Sequence, residues 1–143
     1  MAEANQIKWV GVRPISPIEN IQVHPGILET TVAGVTRTQI VKSVEVANTT
    51  TIIHTVTAGK TFYLCSVSCD SDSGVNKLTH LKVRNVSDVD QYIIIDHESA
   101  AQASISGSLS FSPPIAIPAG WDIVLQTTAS QGMGFIHGWE QNA

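Results

Sequence analysis

Gly59-Lys60-Thr61 ends the way a nucleotide-binding loop ends. Such a loop, G-x-x-x-x-G-K-[ST], wraps a phosphate in backbone N–H groups and then enters a helix whose N-terminus faces the anion. Its first glycine would fall at residue 54, which is His54. The following residues, TFYLCSVSC from Thr61 to Cys69, mix β-branched and aromatic types in alternation, a strand pattern and not a helix pattern. A second copy of the arrangement excludes phosphate chemistry. IPAGWDIVLQTT (117–128) aligns with VTAGKTFYLCSV (56–67), and Trp121 and Asp122 follow its Ala-Gly. The shared element is a tight turn that launches a strand.

The remaining reactive residues are five histidines (His24, His54, His80, His97, His137), twelve carboxylates and two cysteines. HExxH, paired-cysteine metal spacing and the GxSxG elbow are all missing from the sequence. In Asp96-His97-Glu98, neighbouring residues of a strand point to opposite faces, so at most Asp96 and Glu98 converge. His54 and His137 lie in strand patterns flanked by apolar residues, which predicts rings packed in or near a core with their nitrogens satisfied. Asp70-x-Asp72 opens like a calcium loop but lacks the glutamate that closes one. Cys65 and Cys69, four apart on one strand, would be about 13 Å apart, too far for a disulfide. Strict alternation puts both thiols on one face with Tyr63 and Val67. No catalytic, cofactor-binding or metal-binding residue is assigned, and the chain is read as a non-enzyme.

The elements that must carry these residues are strands. In 143 residues, enough for one domain, valine and isoleucine number 31 against 6 leucines, and serine and threonine add 27. That balance predicts an all-β protein. Charged residues are only 14%, with 8 basic and 12 acidic, which disfavours a nucleic-acid partner because such a partner needs clustered Lys and Arg. The first residues, MAEANQIKWVGV, lack a signal-peptide pattern, and no run approaches 18 apolar residues. Synthesis in a cytoplasm, without a membrane partner, is the expectation.

Residues 1–35 carry Pro14, Pro17 and Pro25-Gly26 and read as a partly extended N-terminal arm. Residues 36–143 read as a jelly-roll sandwich of about eight antiparallel strands, near 36–47, 50–57, 60–69, 78–86, 90–97, 108–112, 121–128 and 132–140. QYIIIDH is apolar on both faces, which predicts a central or covered strand. The last strand, GMGFIHGWE, sets Met133, Phe135, His137 and Trp139 on one face and Gly132, Gly134 and Gly138 on the other. A face of glycines admits another backbone closely, so these three, with Trp9 of the arm, are the candidate interface with another subunit or another protein.

The run VTAGKTFYLCSVSC…KLTHLKVRNV…LSFSPPIAIPAGWDIVLQTT…GFIHGWE, about the last ninety residues, resembles small jelly-roll virion proteins of tailed bacteriophages, whose fold is similar to that of tumour necrosis factor. AGKTFYL, PPIAIPAG and the terminal GWE carry the likeness. The resemblance implies a homotrimer that decorates the outer capsid surface, with the major capsid protein lattice as partner and the virion as location. It brings no functional residues with it, because the shared motifs contain none. A different class, a carbohydrate-binding or host-receptor-binding module of a phage tail or fibre, predicts exposed aromatics grouped on one face. Trp9, Tyr63, Tyr92, Trp121 and Trp139 are the candidates, with Trp9 and Tyr92 the discriminating pair.

Overall fold

A computed structural model describes residues 27–32, 35–74, 77–99 and 103–143. Among these there is no helix. The strands are β1 (Ile27–Val32), β2 (Val35–Val46), β3 (Thr49–Thr55), β4 (Lys60–Gly74), β5 (Lys77–Arg84), β6 (Asp90–Ser99), β7 (Ala103–Ile117), β8 (Asp122–Thr127) and β9 (Gly132–Asn142). They form two antiparallel sheets, a five-stranded one in the order β1-β2-β9-β4-β7 and a four-stranded one in the order β3-β8-β5-β6. From β2 onward the chain passes between the sheets so that β9 returns beside β2 and β8 beside β3. That is the double Greek key of a jelly roll. β1 lies within the segment read as an arm and pairs with the first half of β2, Ile27 opposite Ile40 through Val32 opposite Val35.

The two Ala-Gly turns stand side by side. Lys60 N donates to Thr57 O at 3.0 Å and Trp121 N to Pro118 O at 3.3 Å, with Gly59 at φ +78° and Gly120 at φ +77°. That left-handed backbone is open to glycine and costly for other residues, which is why the repeat keeps its glycine. Gly120 N and Val56 O, 2.9 Å apart, join the turns.

Phe62, Leu64, Val67 and Cys69 of β4 and Ile136 of β9 face Ile53 of β3, Leu81 and Val83 of β5, Ile95 of β6 and Ile123 and Leu125 of β8. Each fully buried large side chain here contributes about 1.5–3 kcal/mol, and together they hold the sheets face to face. Thr79 and Thr127 join at 2.9 Å through their hydroxyls and close one end of this core.

Four expectations change. Cys65 sits at an irregularity where β4 slips between Leu64 and Ser66 against β7, and β9 slips between His137 and Gly138 against β4. The extra residue flips the alternation. Tyr63 therefore turns outward while Val67 and Cys69 turn inward. Residues 70–74, read as a turn, continue β4, because their backbone pairs with the start of β7. β7 itself runs from 103 to 117 and passes Pro113 and Pro114 by skipping register between Ser110 and Ile115; Ser112-Pro113 is cis. Finally, QYIIIDH forms β6, an edge strand with Ile93 46% exposed, and the strand buried on both faces is β8. β6 slips register beside Ile94, which gives its three isoleucines three different surroundings.

Candidate functional site

The glycine face of β9 turns inward. A Cβ on Gly132 would lie 2.7 Å from Thr127 Cγ2, one on Gly134 3.0 Å from Ile53 Cδ1, and one on Gly138 2.2 Å from the carbonyl oxygen of Tyr63. The close approach that these glycines permit is thus made by the chain's own opposite sheet and neighbouring strand. Alternation had separated the two faces of β9 correctly but not which of them meets the core. Trp9 lies outside the described residues.

The other face of β9 looks outward from the five-stranded sheet. Cross-strand rows run Gln39–Trp139–Tyr63, Val41–His137–Ser66, Ser43–Phe135–Ser68 and Glu45–Met133–Asp70. The Trp139 and Tyr63 rings stack with centroids 5.6 Å apart and 18° between planes, and the Arg37 guanidinium lies 5.0 Å from the Trp139 ring centre. Gln141 Oε1 accepts from Arg37 Nε at 3.1 Å and from Trp139 Nε1 at 3.2 Å, so one amide fixes both. His137 Nε2 and Gln39 Nε2 are 3.1 Å apart. Val41 and Met133, 37% and 42% exposed, extend the apolar surface along the same face. Trp, Tyr and Arg held rigid on a sheet, with apolar neighbours, are the composition of a protein-binding hot spot.

A second constellation is buried. His54 of β3 donates from Nε2 to Glu140 Oε2 of β9 at 2.7 Å, and Lys42 Nζ of β2 lies 3.3 Å from its Nδ1. His54 is 5% and Glu140 2% exposed. Thr57 N also donates to Glu140 Oε2, at 3.1 Å, and the His54 ring meets Phe62 edge-on at 5.0 Å. Burial pushes the Glu140 carboxyl up, but hydrogen bonds from Thr57 and His54 outweigh it and hold it below its usual range. Both nitrogens of His54 are satisfied, as its strand context predicts.

The outer face of the four-stranded sheet carries His80, Lys82 and Arg84 in one stripe. Asp96 lies 2.8 Å from His80 Nε2, and Asp90 receives Lys82 Nζ at 2.6 Å and Arg84 Nε at 3.2 Å. The lysine and its aspartate show the exchange. Lys82 is buried to 7% exposure, and its donation is the first cause holding the Asp90 carboxyl below the usual range. Asp96 is thus paired with His80. Asp72 accepts from Ser130 Oγ at 2.6 Å and Gln131 N at 3.2 Å and fastens the β8–β9 turn. Cys65 and Cys69 are free, and burial first, then Asp70, pushes the Cys69 thiol up to about 11, which leaves it an inert thiol at neutral pH.

A shallow cleft of about 300 Å³ opens between the edge strands β6 and β7, lined by residues including Ile94, His97, Gly107 and Leu109. The His97 ring occupies the space a side chain at 107 would need, with Cε1 2.6 Å from a Cβ built there. Tyr92, 37% exposed, belongs to the same edge strand. Among the described residues no three His, Cys, Asp or Glu side chains gather to hold a metal ion.

Fold and surface together define an all-β jelly-roll sandwich with an aromatic, arginine-bearing outer face on its five-stranded sheet. No family model matches the chain, and no curated protein matches it. Among solved structures it is similar to a pentameric capsid protein isolated from metagenomic phage sequences, at 15% identity over 71% of this chain and 61% of that one, with a TM-score of 0.42. It is also similar to a chain from Bacillus endospore appendages, a family of disulfide-linked pili, at 16% identity over 87% of this chain and 97% of that one, TM-score 0.41. A third similarity is to the CBM22-1–GH10 modules of Clostridium thermocellum xylanase 10B, at 10% identity over 85% of this chain and 25% of that one, TM-score 0.27. The chain spans less than two thirds of the length of the phage capsid protein and a quarter of the xylanase chain. At these identities function is read from the residues alone.

Proposed function

We propose that this chain is a non-enzymatic structural subunit of a tailed-bacteriophage virion, a homotrimer that decorates the outer capsid surface and stabilises the lattice by binding the assembled shell. The observation that carries the self-association is the outer face of the five-stranded sheet. Arg37, Trp139 and Tyr63 are already locked against one another there, so covering them costs little further side-chain entropy, and Val41 and Met133 leave apolar area beside them. A subunit that binds only the assembled lattice stabilises it by mass action. The resemblance of the last ninety residues to phage jelly rolls is what selects the virion and the trimer.

A carbohydrate-binding module is served less well by this face. A sugar stacks on an open aromatic plane, whereas Trp139 has Tyr63 stacked on it from β4 and Arg37 placed over it from β2. Lysine at Val41 or Met133, both outward and exposed, tests the proposal without touching the core. Val41→Lys is expected to reduce the solution mass to that of one chain while the far-UV circular dichroism stays unchanged. A variant that keeps the wild-type oligomeric mass would remove this face from the interface.

A further inference from the structure

The chain of hydrogen bonds Lys42–His54–Glu140 crosses from one sheet to the other, and its chemistry admits one arrangement of protons. An ammonium only donates and a carboxylate only accepts. With Lys42 Nζ 3.3 Å from Nδ1 and Glu140 Oε2 2.7 Å from Nε2, the ring must carry its proton on Nε2 and leave Nδ1 bare. We propose that this chain is an acid-sensitive latch: a proton taken up at His54 Nδ1 turns that acceptor into a donor facing an ammonium, Lys42 is released, and β2 loosens from the opposite sheet.

The strand it holds, β2, meets the opposite sheet through side chains that are not fully buried. Among the described residues, β1 pairs with residues 35–40 of β2 and β9 with residues 37–46. The inward side chains of residues 41–46, Val44 and Val46, are only partly buried against the core. Segments with few buried contacts are the first to open.

Every element around His54 bears on its charge. β2 supplies Lys42, β9 supplies Glu140, β8 supplies Asp122, whose Oδ1 accepts from Thr55 Oγ1 at 2.5 Å, and β4 supplies only the uncharged Phe62 ring. Burial first, then Lys42, holds the imidazole below its ordinary 6.5, against the pull of Glu140 and Asp122. The folded chain therefore takes up this proton less readily than the unfolded chain. The stability it supports is complete above pH 6.5 and is lost as pH falls from there toward the lowered value. Glu140, held below its ordinary 4.5, adds a second loss at still lower pH.

The test is hydrogen exchange of the full chain at pH 7.5 and 5.5, corrected for intrinsic rates, together with a nitrogen-15 titration of the His54 ring. The protein concentration is chosen so that light scattering gives the same mass at both pH values, which keeps assembly out of the comparison. The latch predicts an Nε2–H tautomer at pH 7.5 and a loss of protection at 41–46 of roughly tenfold at pH 5.5, against a much smaller change in β4 and β8. In His54→Gln the amide can still donate to Glu140 and accept from Lys42, so the pH dependence disappears. In Lys42→Met the opposing cation is gone and the His54 titration moves upward. An Nδ1–H tautomer at pH 7.5, or equal protection of 41–46 at both pH values, would overturn the proposal, and an unmoved titration in Lys42→Met would do so without the His54 variant.

Discussion

Gly138→Ala is expected to lower the unfolding free energy by about 3 kcal/mol or more, because the added methyl cannot be housed without moving backbone. Its Cβ would lie 2.2 Å from the Tyr63 carbonyl oxygen and 2.8 Å from the Phe62 ring. Tyr63 is the register partner of Trp139, beside the slip in the β9–β4 ladder, so relief of the clash breaks pairing in the centre of the five-stranded sheet. Gly134→Ala is the control. Its nearest atoms are the ends of Ile53 and Leu125 at 3.0 and 3.3 Å, which rotate aside, and the expected cost is about 1 kcal/mol. Urea denaturation of the two variants checks the order, and equal costs would contradict the backbone clash at Gly138.

Glu140→Ala is expected to cost about 3 kcal/mol at pH 7.5, because it strands two buried donors at about 1–3 kcal/mol each. The carboxylate accepts from His54 Nε2 and Thr57 N inside the sandwich, and alanine leaves both donors without it. The double variant His54→Leu/Glu140→Leu separates the pair's net worth from the cost of orphaning a partner. It is expected to recover a substantial part of the loss, since apolar residues of similar volume often replace a buried polar pair at little cost. Thermal melts of the two variants and the wild type at pH 7.5 measure this; a double variant as unstable as the single would show that the bond itself, and not the stranded donors, carries the energy.

The strands and both Ala-Gly turns were legible because their signals are local. Period-two alternation marks a strand within six residues, and a glycine at positive φ marks a turn within four. Three kinds of feature were out of reach. The slip at Cys65 changes which face meets the core, yet nothing in TFYLCSVSC distinguishes the extra residue, so Tyr63 was assigned to the face of Val67. The inward turn of Gly132, Gly134 and Gly138 needs knowledge of what packs against them, Thr127 and Leu125 of the opposite sheet and Phe62 of the neighbouring strand, which fill the vacated space. The Lys42–His54–Glu140 chain joins positions 12 and 86 residues apart and exists only after the jelly roll has closed. A buried histidine was predicted from its apolar flanks, while its partners were not, because hydrogen-bond complementarity has no sequence period. Pro113 and Pro114 misled in another way. They were read as the end of a strand, whereas β7 absorbs them by leaving its partner for a few residues and returning at Ile115.

The central claim is that this jelly roll associates with itself through the Arg37–Trp139–Tyr63 face, and the most direct measurement is the solution mass of the purified chain by multi-angle light scattering across a concentration series. The account predicts a species at three times 15.3 kDa that persists on dilution and is lost in Val41→Lys. A wild-type chain that stays at 15.3 kDa at the highest concentration would contradict it.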